Sequence, residues 1–192
     1  MESLLKSVEL AHPTCKHVSK VVIGTFGATI HQFIVNNGTS ARNIVLGYDT
    51  AEEYEPPLRP ASHPYHGSTV GRYSNRIAKG SFTLNGQDYQ LAINNGPNAL
   101  HGGPTGFSER QWSVEKKCEN SVTLAYTSED GEEGYPCKVT VHCTYTLIDD
   151  CLKIKHEGWI SNPFEKRETI LNLTNHAYFN LTGQAERTIL GH

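Results

Sequence analysis

The sequence predicts an all-β protein built as a large antiparallel β-sandwich. Apolar residues recur with a period of two along most of the chain, and no stretch carries an apolar stripe at i, i+3, i+4, i+7 over three turns. Gly, Asn and Pro punctuate the pattern at short intervals. Closely spaced strands with no helical segments between them select a sandwich or barrel over α/β architectures.

The elements follow in order. The first twenty residues are weakly patterned, either an edge strand or a loose end. Val21 to Val35 and Asn43 to Leu46 are rich in β-branched residues and read as strands. Pro56-Pro57 and Pro60 make Glu55 to Pro64 a loop. Phe82-Thr83-Leu84, Asn85-Gly86 and Tyr89 to Ile93 read as two strands around an Asn-Gly turn, the strongest short hairpin signal. Val122 to Tyr126 is a further strand. Val139 to Leu147 alternates strictly, with Val139, Val141, Cys143, Tyr145 and Leu147 on one face. Asp149-Asp150 then turns the chain into a return strand, Leu152 to His156. With no linker, repeat or charge block, residues 1–192 read as a single domain.

Composition removes several function classes. Lys and Arg number 17 against 20 Asp and Glu, a formal charge of −3, and no basic stripe offers itself to phosphates, so no nucleic-acid partner is expected. Mean hydropathy is −0.46, and no apolar run approaches the ~20 residues of a membrane helix, so no membrane partner is expected either. The start, Met1-Glu2-Ser3-Leu4-Leu5-Lys6, lacks the apolar core of a signal peptide. Five cysteines without a CxxC pair read as reduced thiols, which points to a cytoplasmic protein. Among the 10 histidines, His63 and His66 with His101 or His142 are imaginable metal ligands, but no H-x-H, helical H-x-x-x-H or Cys/His ladder supports a metal. Neither G-x-S-x-G nor a phosphate loop occurs. The acidic stretch Glu129 to Pro136 lacks the alternation of a calcium loop and reads as a solvated turn.

Three stretches can carry chemistry. In Ile170 to Leu181, an extended chain puts Leu171, Leu173, Ala177, Phe179 and Leu181 on one face, with Asn175 the exception. Asn172, Thr174, His176, Tyr178 and Asn180 share the other face. Such a row is either a solvated face or a surface offering donors and acceptors to a neutral, hydroxyl-rich ligand such as a sugar. In Asn98 to Phe107, glycines around His101 allow a tight turn and close approach of a ligand; an exposed His on a plain turn is the alternative. In Gly71 to Gly80, Asn75 and Arg76 supply several donors side by side, although an arginine as readily pairs with a surface carboxylate.

Together these stretches resemble the aldose 1-epimerase (galactose mutarotase) family. GRYSNRIAKGSFTLNGQDYQLAINNGPNALHGG from Gly71, DGEEGYP from Asp130 and NLTNHAYFNL from Asn172 stand in the family's order, and the resemblance runs from about Val21 to the end. It implies a galactose mutarotase-like sandwich with the sugar in an open cleft. It also implies interconversion of the α and β anomers of free aldoses through ring opening. By position in the motifs, His176 resembles the general acid and His101 a second cleft histidine that holds the sugar. Asn75 and Arg76 resemble a hydroxyl-binding pair, and Tyr178 a cleft wall. No cofactor is implied, the aldose is the expected partner, and a full-length chain is expected to be a monomer.

Departures from the family pattern matter equally. The family's general base, a Glu, lies near the end of a longer chain, whereas this sequence stops at Gly191-His192, so the carboxy-terminal part of the sandwich is expected to be missing. The alternative to an enzyme is therefore a shortened, non-catalytic sugar-binding homologue lacking that base. His66 stands where Phe is usual, Ala177 where Ser is common, and Cys137 where Gly usually follows Tyr-Pro, at a turn expected to need positive φ.

Overall fold

The computed structural model describes residues 5–60, 64–184 and 187–191. Its frame is two antiparallel four-stranded sheets. The first orders β1 (Ser7–Leu10), β2 (Val18–Gly24), β3 (Thr29–Asn36) and β4 (Ala41–Asn43) side by side. Short pieces follow: β5 (Thr69–Val70), β6 (Arg76–Ile77), β7 (Ser81–Leu84), β8 (Gln87–Gln90) and β9 (Ala99–Leu100). The second sheet orders β10 (Ser113–Lys117), β11 (Ser121–Ser128), β12 (Val139–Ile148) and β13 (Cys151–Ile160), and β14 (Thr174–Asn175) comes last.

The two sheets share one core. Val8, Leu10, Val21, Ile23 and Ile30 from the first pack with Val122, Leu124, Val141, Tyr145 and Leu147 from the second. Val8 and Leu10 tie the amino-terminal segment into this core as an edge strand on β2. Tyr145 closes the sandwich with a polar pin: its hydroxyl donates to the Ala28 carbonyl at 2.6 Å. A buried phenol needs such a partner, and this one joins the sheets.

β12 realises its sequence pattern residue by residue, alternating buried and half-buried from Val139 to Ile148. Asp149 and Asp150 both take positive φ, 51° and 60°, the twist that a two-residue hairpin needs. The Asp150 carboxylate also accepts the His17 and Val18 N–H groups at 2.8 Å, fixing the hairpin to the start of β2. The return strand is longer than expected, Cys151–Ile160, because every residue pairs with β12.

Several expectations need correction. Val21 to Val35 is two strands, broken at Gly27 and Ala28, which turn with positive φ. The strand expected at Asn43 to Leu46 is β4 ending at Asn43, with Val45 joined to Phe179 by a single bridge. In the Asn-Gly hairpin the second arm is Gln87–Gln90, not Tyr89 to Ile93, since the two-residue turn forces pairing to begin directly after Gly86. Residues 170–181 form no long strand; they run with a two-residue ladder at β14 and single bridges at Asn172 and Phe179. Leu171, Leu173 and Ala177 do pack on the core, and the odd inward Asn175 donates to the Gly67 carbonyl at 2.6 Å and to Tyr145 at 3.3 Å. Asn180 is buried rather than on the open polar face, its Oδ1 accepting from Thr182.

Glu129 to Pro136 is not merely a solvated turn. Arg72, 1% exposed, reaches under it and donates to the carbonyls of Pro136 at 2.6 Å and Cys137 at 2.8 Å and to Ser128 Oγ at 2.5 Å. Glu132 accepts from Tyr126 and Ser128, and Asp130 accepts the Cys137 N–H. Cys137 has φ 67°, the positive value expected at that turn.

Candidate active site

One segment assembles the site. Residues 69–77 pair at one end with β14, Val70 opposite Thr174 and Thr69 opposite Asn175, and at the other with β9, Arg76 opposite Leu100. Between them, Arg72 O and Ser74 N bond Asn172. The loops bearing His176 and His101, remote in sequence, are thus laid on the same strip of backbone. Gly67 N–H donates to His176 O at 3.1 Å and His176 N–H to Ser68 O at 2.8 Å, so the backbone at His176 is held on both sides.

The histidine rings meet edge to face, with centroids 5.1 Å apart and planes at 87°. Tyr65 caps the pair, 4.9 Å from His101 and 5.8 Å from His176. Tyr178 lies 5.0 Å from His176 on the exposed side. Asn75 and Arg76 are exposed at the rim beside His101. The structure therefore brings together all five residues singled out for the site: Asn75, Arg76, His101, His176 and Tyr178. Tyr65 was missed; it lies outside the three stretches, and no local pattern marks it.

Hydrogen bonds define the state of His101. Its backbone N–H donates to Asn75 O at 3.1 Å, and the Asn75 N–H donates to His101 Nδ1 at 3.0 Å. A ring nitrogen that accepts carries no proton, so the neutral ring bears its hydrogen on Nε2 and presents a donor. Burial pushes the His101 pKa down to about 4, helped by the nearby His176 and Arg76. The neutral form is thus the one the site holds. Gly102, at φ 86°, is required here: an added Cβ would collide with the Gly71 carbonyl.

The Arg76 guanidinium is half committed, Nε donating to Asn95 Oδ1 at 2.8 Å and Nη1 to Asn75 Oδ1 at 3.4 Å. Its remaining edge offers donors of fixed geometry to a ligand at the rim. Behind Tyr178 lies His66, with ring centroids 5.4 Å apart. Its Nδ1 is buried without a partner among the described residues, and burial together with His176 lowers its pKa. Of the other imagined metal ligands, His142 sits on the outer face of the second sheet against Trp159, at 4.8 Å, and His63 lies outside the described residues. A wide recess of about 590 Å³, lined by Gln32, Arg42, Asn43, Tyr48 and neighbours, includes none of the five site residues.

The family model described as aldose 1-epimerase matches residues 7–192 of this two-sheet β-sandwich. The chain belongs to the aldose 1-epimerase family. It is 43% identical over 174 residues to galactose mutarotase from Sus scrofa, covering 90% of this chain and 48% of that protein. It is 45% identical over 157 residues to aldose 1-epimerase from Haemophilus influenzae, covering 81% and 43%. In structure it is similar to an aldose epimerase homologue from C. elegans, with a TM-score of 0.79, 32% identity, and coverage of 91% of this chain and 50% of that one. The galactose 1-epimerase from Lactobacillus acidophilus NCFM gives a TM-score of 0.70 at 26% identity. The chain spans about half the length of the curated relatives it matches.

Proposed function

We propose that this chain carries the acid side of an aldose 1-epimerase site, acting on free aldohexoses such as glucose and galactose in the cytoplasm. The observation that carries this reading is the perpendicular His101–His176 pair, with His101 locked as a neutral Nε2–H donor. In the reaction a base takes the proton from O1, the C1–O5 bond breaks as the C1=O1 aldehyde forms, and O5 takes a proton. His176 gives that proton, and His101 donates a hydrogen bond to the sugar as charge grows on the ring oxygen. Asn75 and Arg76 hold hydroxyls at the rim, and Tyr178 walls the sugar. Rotation about C1–C2 and reclosure by the reverse transfers give the other anomer. The five residues proposed here supply binding and acid catalysis; the carboxylate base is not among them. No metal or nucleotide enters any step.

Polarimetry of freshly dissolved α-D-galactose tests this, run beside NMR observation of the histidine ring protons. Faster approach to rotational equilibrium, with sugar-dependent shifts at His101 and His176, is the expected result. Sugar-dependent shifts without acceleration would leave a sugar-binding homologue, and neither effect would remove the site.

A further inference from the structure

Tyr65 and His66 stand on a turn that is bolted to the first sheet. The Ser68 N–H donates to the Tyr65 carbonyl at 3.1 Å and closes the turn. The Gly67 carbonyl accepts the Ile30 N–H of β3 at 2.9 Å and Asn175 Nδ2 at 2.6 Å. Just beyond, the Thr69 N–H donates to the Gly27 carbonyl at 2.8 Å. The same turn grips the His176 backbone through Gly67 and Ser68. Rings mounted on it close a circuit. Tyr65 meets His176 at 5.8 Å, His176 meets Tyr178 at 5.0 Å, and Tyr178 meets His66, the chain neighbour of Tyr65, at 5.4 Å.

Within the circuit Tyr65 touches both histidines, with its plane at 76° to His101 and 40° to His176. An edge-to-face contact such as that between the histidines is weak by itself, so a third ring packed on both adds to its definition. The backbone carries a second sign. Tyr65, Asn75 and His101 all take positive φ, at 57°, 68° and 53°. Residues with side chains adopt that conformation rarely, and it persists where the surrounding structure imposes it, most often at functional sites. Here the three are joined, since Tyr65 packs on His101 and the Asn75 N–H bonds His101 Nδ1. Tyr65 is half-buried, and burial raises its pKa against the opposing charge of Arg59, which is paired with Glu109, so its hydroxyl stays protonated. The charged or titratable groups acting on His101 are His176 and Arg76.

We propose that Tyr65 is a positioning residue for the histidine pair: its ring, fixed by the 65–68 turn, braces His101 against His176 and shields His101 from water. The word positioning rests on the acid–base reading above; the brace itself is a matter of packing. Tyr65 acts through the two histidines and exchanges no proton. Acid catalysis needs its groups held within a fraction of an ångström, and side chains on loops reach that precision through neighbours that lock their rotamers. His101 and His176 both come from loops, whereas Tyr65 is tied to β3. Removing its ring should let both histidines turn and should uncover His101, whose pKa is held down chiefly by burial. The aromatic ring, not the hydroxyl, does this work.

The test follows the His101 and His176 C2 protons of the full chain by NMR, through a pH titration and a galactose titration. In the unaltered protein, cross-relaxation from the Tyr65 ring protons to both histidine rings is expected. Tyr65→Leu should raise the His101 midpoint from about 4 by at least ~1 pH unit, towards the ~6.5 of an exposed ring. It should also raise the galactose concentration at half-maximal shift at least ~10-fold. Tyr65→Phe keeps the ring and should restore both readouts to the parent values. Leu124→Ala, a cavity in the shared core, should lower the denaturation midpoint and leave the His101 midpoint where it is. An unmoved His101 midpoint in Tyr65→Leu would overturn the proposal, as would an equal rise in Leu124→Ala or no recovery in Tyr65→Phe. Amide protection in β11 and β12 verifies that each variant is folded. Should Tyr65→Leu not fold, the cross-relaxation in the unaltered chain decides, and its absence overturns the proposal. A Tyr65-dependent midpoint without any galactose-dependent shift would keep the brace and remove the sugar-site reading.

Discussion

Arg72 and Arg76 lie four positions apart in one segment and do opposite work. Arg72 is 1% exposed and spends its guanidinium on carbonyls and a hydroxyl of the 128–137 loop. Arg76 is exposed, with part of its guanidinium held by Asn75 and Asn95 and the rest turned to the rim. The same side chain anchors the fold in one place and lies open at the rim in the other. Between them, Ser74 bonds to Asn172 and Asn75 to His101, so the anchored end fixes where the presented end points.

Replacing the two arginines breaks this contrast most sharply. Arg72→Met leaves buried carbonyls without their donors and should cost about 3–5 kcal/mol in urea denaturation, the range for removing one member of a buried charged network. Arg76→Met, at an exposed rim, should cost about 0.5 kcal/mol or less. Equal losses would mean that the rim is structural too.

On the presenting side, His176→Asn keeps a polar side chain but removes the proposed proton donor. On the proposed acid role, it should lower the rate of mutarotation by ~10²–10⁴-fold relative to the unaltered protein. Its denaturation midpoint should stay close to that of the parent. A rate unchanged by His176→Asn would take the acid role away from this residue.

Gly102→Ala tests the joint between the two regions. An alanine must take φ 86° and collide with the Gly71 carbonyl, one residue before Arg72, at a cost of about 1–3 kcal/mol. Because the same shift moves His101, sugar-dependent changes at its ring protons should weaken as well. Lost stability with undisturbed ring-proton shifts would uncouple the glycine turn from the site.

What could be read in the sequence follows the same division. β12 was legible because one face is fully buried, which imprints an unbroken alternation from Val139 to Leu147. β13 was only half legible: its inward row includes His156 and Gly158, which blur the pattern although every residue pairs. The motif residues of the site were legible by type, but their meeting was not, since His101 and His176 are joined through residues 69–77, a pairing that no local period encodes. Tyr65 was invisible for that reason. The role of the acidic loop was hidden similarly, because its carbonyls face an arginine far back in the chain. In the hairpin, the turn type rather than the apolar pattern set the register, which moved the second arm to Gln87–Gln90.

The smallest effect is on pH, and it separates the two arginines once more. The His101 pKa in the folded protein is about 4, against ~6.5 for an unfolded histidine. Between these values the unfolded chain binds more protons, so this group's contribution to stability is fully present above ~6.5 and is lost as pH falls towards about 4. The ring is half-exposed, so solvent screens the effect and the stability change should be slight. The clearer readout is the ring itself: the His101 C2 proton should show no titration between pH 8 and ~5.5, with a midpoint near 4. Burial is the leading cause, and Arg76 acts in the same direction as a nearby positive charge. Arg76→Met should therefore move the midpoint upward, while a conservative Arg76→Lys should leave it close to the parent value. A midpoint near 6.5 in the unaltered protein would mean that burial at this turn does not hold His101 neutral, and the presenting end of the segment would lose the donor on which its proposed chemistry depends.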